Sequence, residues 1–237
     1  MAAVTFQLLD HFQALFQGHP YRHRASTHGD WIAQFIFEDL FRLDHSPKLI
    51  ERIQQHRSVL NSTNRAHGVK HRRGDGSLGT LIPGDSAIAD SGFVVGRGPI
   101  ANIEIGIEVK VLAKAMIKEI DRVKNDLRKQ VEEFRRSEGR AVTAAIVGGN
   151  HADVYRSFEG DREFVTEGKR YKHPATEAAA AIAHIEQIRS VFDELLILKF
   201  RATNLDPFPF EWIDRNAVRQ DYASLLVRLS RLYEQRF

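Results

Sequence analysis

A chain of 237 residues with 34 Lys and Arg against 31 Asp and Glu carries a formal charge of 34 − 31 = +3, its 11 histidines counted as neutral. The absence of cysteine excludes a disulfide scaffold, a thiol nucleophile and Cys-ligated zinc or iron–sulfur centres, so a bound metal must be held by Asp, Glu or His. An apolar fraction of 43% beside 27% charged residues excludes a disordered or fibrous chain and predicts one globular domain over residues 1–237.

The opening stretch MAAVTFQLLDHFQALF lacks a basic n-region and is interrupted by Asp10 and His11. It therefore reads neither as a signal peptide nor as a membrane span, and a cytoplasmic protein is expected. Phe6, Leu9, Phe12, Leu15 and Phe16 recur at helical spacing up to the stop at Gly18-His19-Pro20. A second helix, capped by Asp30, runs to about Leu43 and is apolar nearly all round, so Glu38 and Asp39 within it need a partner or a metal. These helices make an N-terminal helical part, residues 1–60. Between Arg52 and Gly74 there is no acidic residue, while Arg52, Arg57, Arg65, Lys70, Arg72 and Arg73 are all basic. The segment NSTNRAHGVKHRRGDGS, residues 61–77, reads as an exposed basic loop and a candidate for phosphate contact.

Glycine-punctuated β-like runs follow: Leu78 to Pro83, Ser86 to Val95 and Ile100 to Leu112, with a turn at Gly96-Arg97-Gly98-Pro99. Ala113 to Ser137 is the clearest amphipathic helix, and Ala141 to Gly149 is a strand buried on both faces. No structure is assigned to Asn150–Lys172. A helix capped by Thr176, a buried strand over Leu195–Arg201, a proline-interrupted link and a final helix from Asn216 complete the chain. The expected class is α/β, a mixed central sheet flanked by helices in the order α-α-β-β-β-α-β-α-β-α, with a core over residues 78–201 and the last helix in 202–237.

Within the strand IEIGIEVKVL, Glu108 and Lys110 are two residues apart and so project from one face among isoleucines and valines. A turn centred between Arg97 and Gly98 makes antiparallel partners sum to about 195, which sets Asp85 opposite Lys110 and near Glu108; Asp90 is the alternative. Two carboxylates without cysteine suit Mg²⁺, or Mn²⁺, bound by few protein groups and several waters. A neighbouring lysine can orient a water and stabilise phosphate charge, so phosphodiester hydrolysis is the expected chemistry.

Asp85, then Glu108-Val109-Lys110, a long helix and a buried strand, preceded by a helix containing Glu38, resemble the core of the PD-(D/E)xK nuclease superfamily, over roughly residues 30–149. The resemblance implies a restriction-endonuclease-like fold with an α-β-β-β-α-β core. It also implies Asp85 and Glu108 as metal ligands, Lys110 as the catalytic lysine and Glu38 completing the site from the first core helix. Asp39 lies nearer the centre of that helix's apolar stripe and stays open as an alternative to Glu38. Arg57, Arg65, Lys70, Arg72, Arg73 and Lys114 would hold DNA over the carboxylates. The expected function is a Mg²⁺-dependent DNA endonuclease of the restriction or phage-defence kind, acting as a homodimer on double-stranded DNA without membrane involvement. The alternative is a catalytically inactive nucleic-acid-binding or regulatory protein on the same fold. A weaker idea is dimerisation through Leu225, Leu229 and Leu232.

Overall fold

The computed structural model describes residues 5–22, 27–66, 69–70, 75–114, 116–136, 140–159, 162–166 and 174–237. Helices α1 (Gln7–Ala14), α2 (Thr27–Leu43) and α3 (Pro47–Gln54) lead into strands β1 (Ser58–Ala66), β2 (Val69–Lys70), β3 (Gly76–Leu81) and β4 (Arg97–Leu112). Then come α4 (Met116–Arg135), β5 (Val142–Asn150), the hairpin β6 (Tyr155–Glu159) and β7 (Arg162–Thr166), and α5 (Pro174–Glu186). A 3₁₀ turn (Arg189–Val191), β8 (Glu194–Ala202), β9 (Phe210–Trp212) and α6 (Arg215–Arg236) close the chain. The sheet order is β2-β1-β3-β4-β5-β8-β9, with β6 and β7 forming a separate ribbon. β4, β5 and β8 run parallel, whereas β1–β3 and β3–β4 are antiparallel. The protein is thus α/β, a mixed central sheet between helical layers.

Helix α3 went unread in the sequence although its start is explicit: Ser46 Oγ accepts from Leu49 N–H at 3.2 Å, and Pro47 occupies the first turn. The larger correction concerns the meander. The segment read as a basic loop contains β1, β2 and the start of β3, while the run Ser86 to Val95 forms no strand, only the single bridge Ile88↔Arg97. Asn, Ser and Gly lowered the apparent strand character of the former, yet β1 pairs on both sides, antiparallel to β3 and parallel to β4. The β6–β7 hairpin likewise occupies a stretch to which polarity assigned nothing.

One sheet face is covered by α1, α2, α3 and α6. Phe12, Ile36, Leu40, Leu49, Tyr222, Leu225 and Leu229 are buried there against Ile105, Ile107, Ile146 and Leu198. Leu225 and Leu229 are fully buried in this core, so they offer nothing to a dimer. The other face carries α4 and α5, with Ile120, Leu127, Ala181 and Ile185 packed on Val147 and Leu195. β5 lies between both layers and every one of its residues is buried, as its unbroken apolar run predicts.

Two glycines let the layers close around β4. A Cβ at Gly106 would lie 2.4 Å from the Phe134 ring of α4, and one at Gly79 would lie 1.9 Å from the Asn102 carbonyl oxygen. The register slips by one between Leu78↔Ile105 and Gly79↔Ile103, which leaves Glu104 as the extra residue of a bulge. Glu104 is fully buried and accepts from Ser58 Oγ (2.7 Å), Thr80 Oγ1 (2.6 Å) and Tyr233 Oη (2.5 Å), with Arg52 as its ion-pair partner. Arg52, one cation of the basic stretch, therefore neutralises a core carboxylate, which a buried charge requires.

Candidate active site

The register of β3 on β4 decides which aspartate meets the Glu-x-Lys strand. Gly76 pairs with Ile107, so the next antiparallel position sets Asp75 opposite Glu108. The contact is direct: Val109 N–H donates to Asp75 Oδ2 at 2.7 Å. Asp75 also sits against the first turn of α2, where a Cβ on Gly29 would come within 2.1 Å of its Oδ1. Glu108 is 6% exposed, and its Oε1 accepts from Lys110 Nζ at 2.5 Å. Its Oε2 is buried without a hydrogen-bond partner among the described residues.

These neighbours set the titration of the site. Burial pushes the Glu108 carboxyl up to about 7 and the negative charge of Asp75 pushes the same way, while the Lys110 ammonium and a hydrogen bond from the Asp75 backbone N–H offset only part of this. For Lys110 burial works downward, but Glu108, followed by Asp75 and Asp126 of α4, outweighs it and holds the ammonium above its ordinary value. Lys110 therefore stays charged at neutral pH while Glu108 is poised to change state there.

Asp85 is not part of this group, which corrects the expectation from the sequence. It is exposed in a turn after β3, its N–H bonded to Ile82 O at 3.0 Å. The end of β3 that precedes it pairs at Leu81↔Ile100, whereas Glu108 faces the other end at Gly76↔Ile107. Five strand residues separate these ends, roughly 16 Å. Asp90 is also remote: it forms a two-pronged ion pair with Arg97, with Nη2 to Oδ1 at 2.6 Å. The antiparallel neighbour of β4 is β3, whereas Ser86–Val95 forms only the bridge Ile88↔Arg97.

Glu38 and Asp39 have structural partners. Glu38 is fully buried, and its Oε1 accepts from Val94 N–H at 2.9 Å and Val95 N–H at 2.8 Å, tying the segment ahead of β4 to α2, while its Oε2, like that of Glu108, is buried without a hydrogen-bond partner among the described residues. Nine helical steps, about 13 Å, separate it from Gly29, which touches Asp75. Asp39 accepts from Gln7 N–H and Leu8 N–H, both at 3.0 Å, and from Tyr222 Oη at 2.8 Å. It caps the first turn of α1 from outside the helix and is satisfied there.

Among the expected phosphate contacts, Arg57 is exposed and paired with Glu51 at 2.8 Å. Lys114 is half-buried with its Nζ 5.9 Å from the centre of the Phe164 ring in the β6–β7 hairpin. The backbones of Arg65 and Lys70 pair in the β1–β2 hairpin, but their side chains, like all of Arg72 and Arg73, lie outside the described residues. Asp75 is the residue that sequence reasoning missed. Its signal was present: a lone acid between two glycines at the end of the basic run, where an extended strand begins.

The donor set fits a hard divalent cation. Asp75, just ahead of β3, and Glu108 of β4 could offer carboxylate oxygens, and Glu108 Oε2 is a buried acceptor without a hydrogen-bond partner among the described residues. Among the described residues no group of three or more His, Asp or Glu side chains gathers for a metal. No family model, curated protein or solved structure matches this chain. Among the described residues no helix is long and apolar enough to cross a membrane.

Proposed function

We propose that the protein is a divalent-metal-dependent nuclease of the PD-(D/E)xK kind, hydrolysing phosphodiester bonds of double-stranded DNA as a homodimer. The observation that carries this reading is the meeting of Asp75, Glu108 and Lys110 at one end of β3 and β4. The order α2-β1-β3-β4-α4-β5, taken with the short β2 and helix α3 as additions, matches the α-β-β-β-α-β core that the resemblance implies. The shift from Asp85 to Asp75 also strengthens the electrostatic side, because Arg72 and Arg73 stand three and two residues before Asp75 in the chain. Cations this near to Asp75 in the sequence suit a substrate with a phosphate backbone.

Asp75 and Glu108 would hold Mg²⁺ or Mn²⁺, which supplies Lewis-acid neutralisation of the phosphate oxygens. Lys110 does two things by its own geometry. Its ammonium holds Glu108 in one orientation, and its remaining N–H donors can hydrogen-bond an attacking water and a non-bridging phosphate oxygen as negative charge builds up. Val109 N–H donates to one oxygen of Asp75 and holds that carboxylate against the backbone of the strand that carries Glu108. Loss of activity on changing any of these three groups should be large, since each acts where charge develops in the transition state.

The test is cleavage of supercoiled plasmid in Mg²⁺ and in Mn²⁺ by the wild type beside Asp75→Asn, Glu108→Gln and Lys110→Met. Cleavage by the wild type with a drop of roughly 100-fold or more in each variant is expected. Equal cleavage by all four proteins would refute the site. Salt-dependent DNA binding with no hydrolysis under any divalent ion would make the protein a binding module instead.

A further inference from the structure

The outer edge of the sheet is unfinished at β8. β9 covers only its last residues, pairing Phe200↔Trp212 to Ala202↔Phe210, and Ile213 N–H extends the contact to Lys199 O at 3.1 Å. From Glu194 to Leu198 no strand lies on that side among the described residues. The gap is a groove of about 400 Å³ whose floor is Leu195, Leu196 and Ile197, with Ile182 and Glu186 of α5 on one wall and Ala217, Asp221 and Arg228 of α6 on the other.

Backbone alternation identifies the unused groups. Phe200 O faces β5, since it accepts from His151 N–H at 2.7 Å, and Lys199 O faces outward to Ile213. Residues 195 and 197 share the outward parity of 199, in agreement with Leu195 O accepting from Arg189 Nη1 at 3.0 Å. Leu195 N–H, Ile197 N–H and Ile197 O thus point into the groove, and Leu195 O retains a second lone pair. An edge of this kind is a template for strand pairing, which chains usually blunt with proline, charge or a covering segment.

We infer that this groove is the interface of a twofold dimer in which β8 of a second copy pairs antiparallel with β8. The five-residue window centres on Leu196. With the axis there, Leu195 meets Ile197 of the second copy and Ile197 meets its Leu195, so four backbone hydrogen bonds satisfy every outward group. A twofold axis perpendicular to the sheet keeps each helical layer on its own face, so the two α6 helices lie side by side and antiparallel.

Their charges fit this arrangement. α6 runs opposite to β8, from the Ile213–Lys199 contact to Arg228, whose Nε is 2.7 Å from Glu194 Oε1. Two strand residues from Glu194 to the axis are about 6.6 Å, or roughly four helical residues, which sets position 224 of α6 over the axis. Asp221 and Arg228 lie on either side of that point, so each Asp221 faces the Arg228 of the second copy.

Sedimentation velocity on the full chain tests the interface. The wild type, 27.0 kDa per chain, should sediment at twice that mass. Ile197→Pro removes an outward N–H without touching the β5 ladder, a place where an edge strand tolerates proline, and should halve the mass with unchanged far-UV circular dichroism. Asp221→Arg, on the exposed helix surface, should weaken association at least 10-fold and covers the case in which the proline variant fails to fold. Leu196→Cys introduces the only thiol in the chain, at a position where the two copies' backbones come within disulfide reach, so mild oxidation should give a covalent dimer. A wild type that stays monomeric at hundreds of micromolar overturns the inference. So does a dimer that persists in both Ile197→Pro and Asp221→Arg, or one that Leu196→Cys fails to cross-link.

Discussion

Replacing Glu108 by glutamine should make the protein more stable at neutral and alkaline pH while destroying its activity. The folded carboxyl titrates at about 7 against 4.5 for the free group. Because the folded-state pKa is raised, the folded protein keeps a proton that the unfolded chain has released anywhere between these values. Stability contributed by the protonated form is therefore complete below about pH 4.5, falls as pH rises through the window and is gone above about 7. A difference of 7 − 4.5 = 2.5 units corresponds to about 3 kcal/mol at 1.36 kcal/mol per unit. Glutamine mimics the protonated state and carries no such slope. The variant should match the wild type near pH 4.5 and exceed it by up to about 3 kcal/mol at pH 8, on the order of 5–10 °C in Tm for a domain of this size. Chemical denaturation of both proteins from pH 4.5 to 8.5, in EDTA, measures the difference. A variant that is less stable than the wild type at pH 8, or a gap that does not widen with pH, would refute the reasoning that burial and Asp75 load this carboxyl. Surplus stability on removing a charged group is what a site kept for chemistry rather than for folding should show.

Asp75→Asn should abolish metal-dependent cleavage while Asp85→Asn retains it within about 2-fold, since Asp85 is an exposed turn residue; this is read in the plasmid assay. Asp39→Ala should cost about 2–4 kcal/mol in urea denaturation, from a lost cap on α1 and an unsatisfied Tyr222 hydroxyl, with Mg²⁺ affinity by calorimetry unchanged. Gly79→Ala drives a methyl into the Asn102 carbonyl and should destabilise by roughly 3 kcal/mol or more, visible as a fall in Tm; a neutral effect would show that the bulge is not rigid. Burial works to raise the Asp193 carboxyl, but hydrogen bonds from Arg236 and from Thr143 N–H prevail and hold it down at about 2. Its contribution is then present above pH 3.8 and lost as pH falls to about 2, so Asp193→Asn should cost about 2 kcal/mol at pH 6 and nothing near pH 2.

Periodicity alone located α1, α2, α4, β5, β8 and α6, because each buries a continuous apolar stripe or run whose spacing survives any tertiary arrangement. It placed Glu108 and Lys110 correctly on one face of a buried strand for the same reason. What failed was strand pairing. Pairing is a nonlocal property, and the strand that follows Asp75 starts Gly-Ser-Leu-Gly-Thr, a sequence whose small residues are required by Asn102 and Ala33 pressing on it but which reads locally as loop. The competing run Ser86–Val95 contains Ile88, Val94 and Val95, yet it is held by Glu38 and the Asp90–Arg97 pair instead of a ladder. Glu38 drew attention for a sound reason, since a fully buried carboxylate must have partners. Those partners are backbone amides, which leave no trace in residue identity.

Anomalous diffraction from crystals equilibrated with Mn²⁺ at near-neutral pH shows whether Asp75 and Glu108 hold a metal. One strong peak is expected in contact with a carboxylate oxygen of Asp75 and with Glu108 Oε2, the peak vanishing in Asp75→Asn. Full Mn²⁺ density at Asp85, or none near Glu108 at millimolar Mn²⁺ in a protein that cleaves DNA, would contradict it.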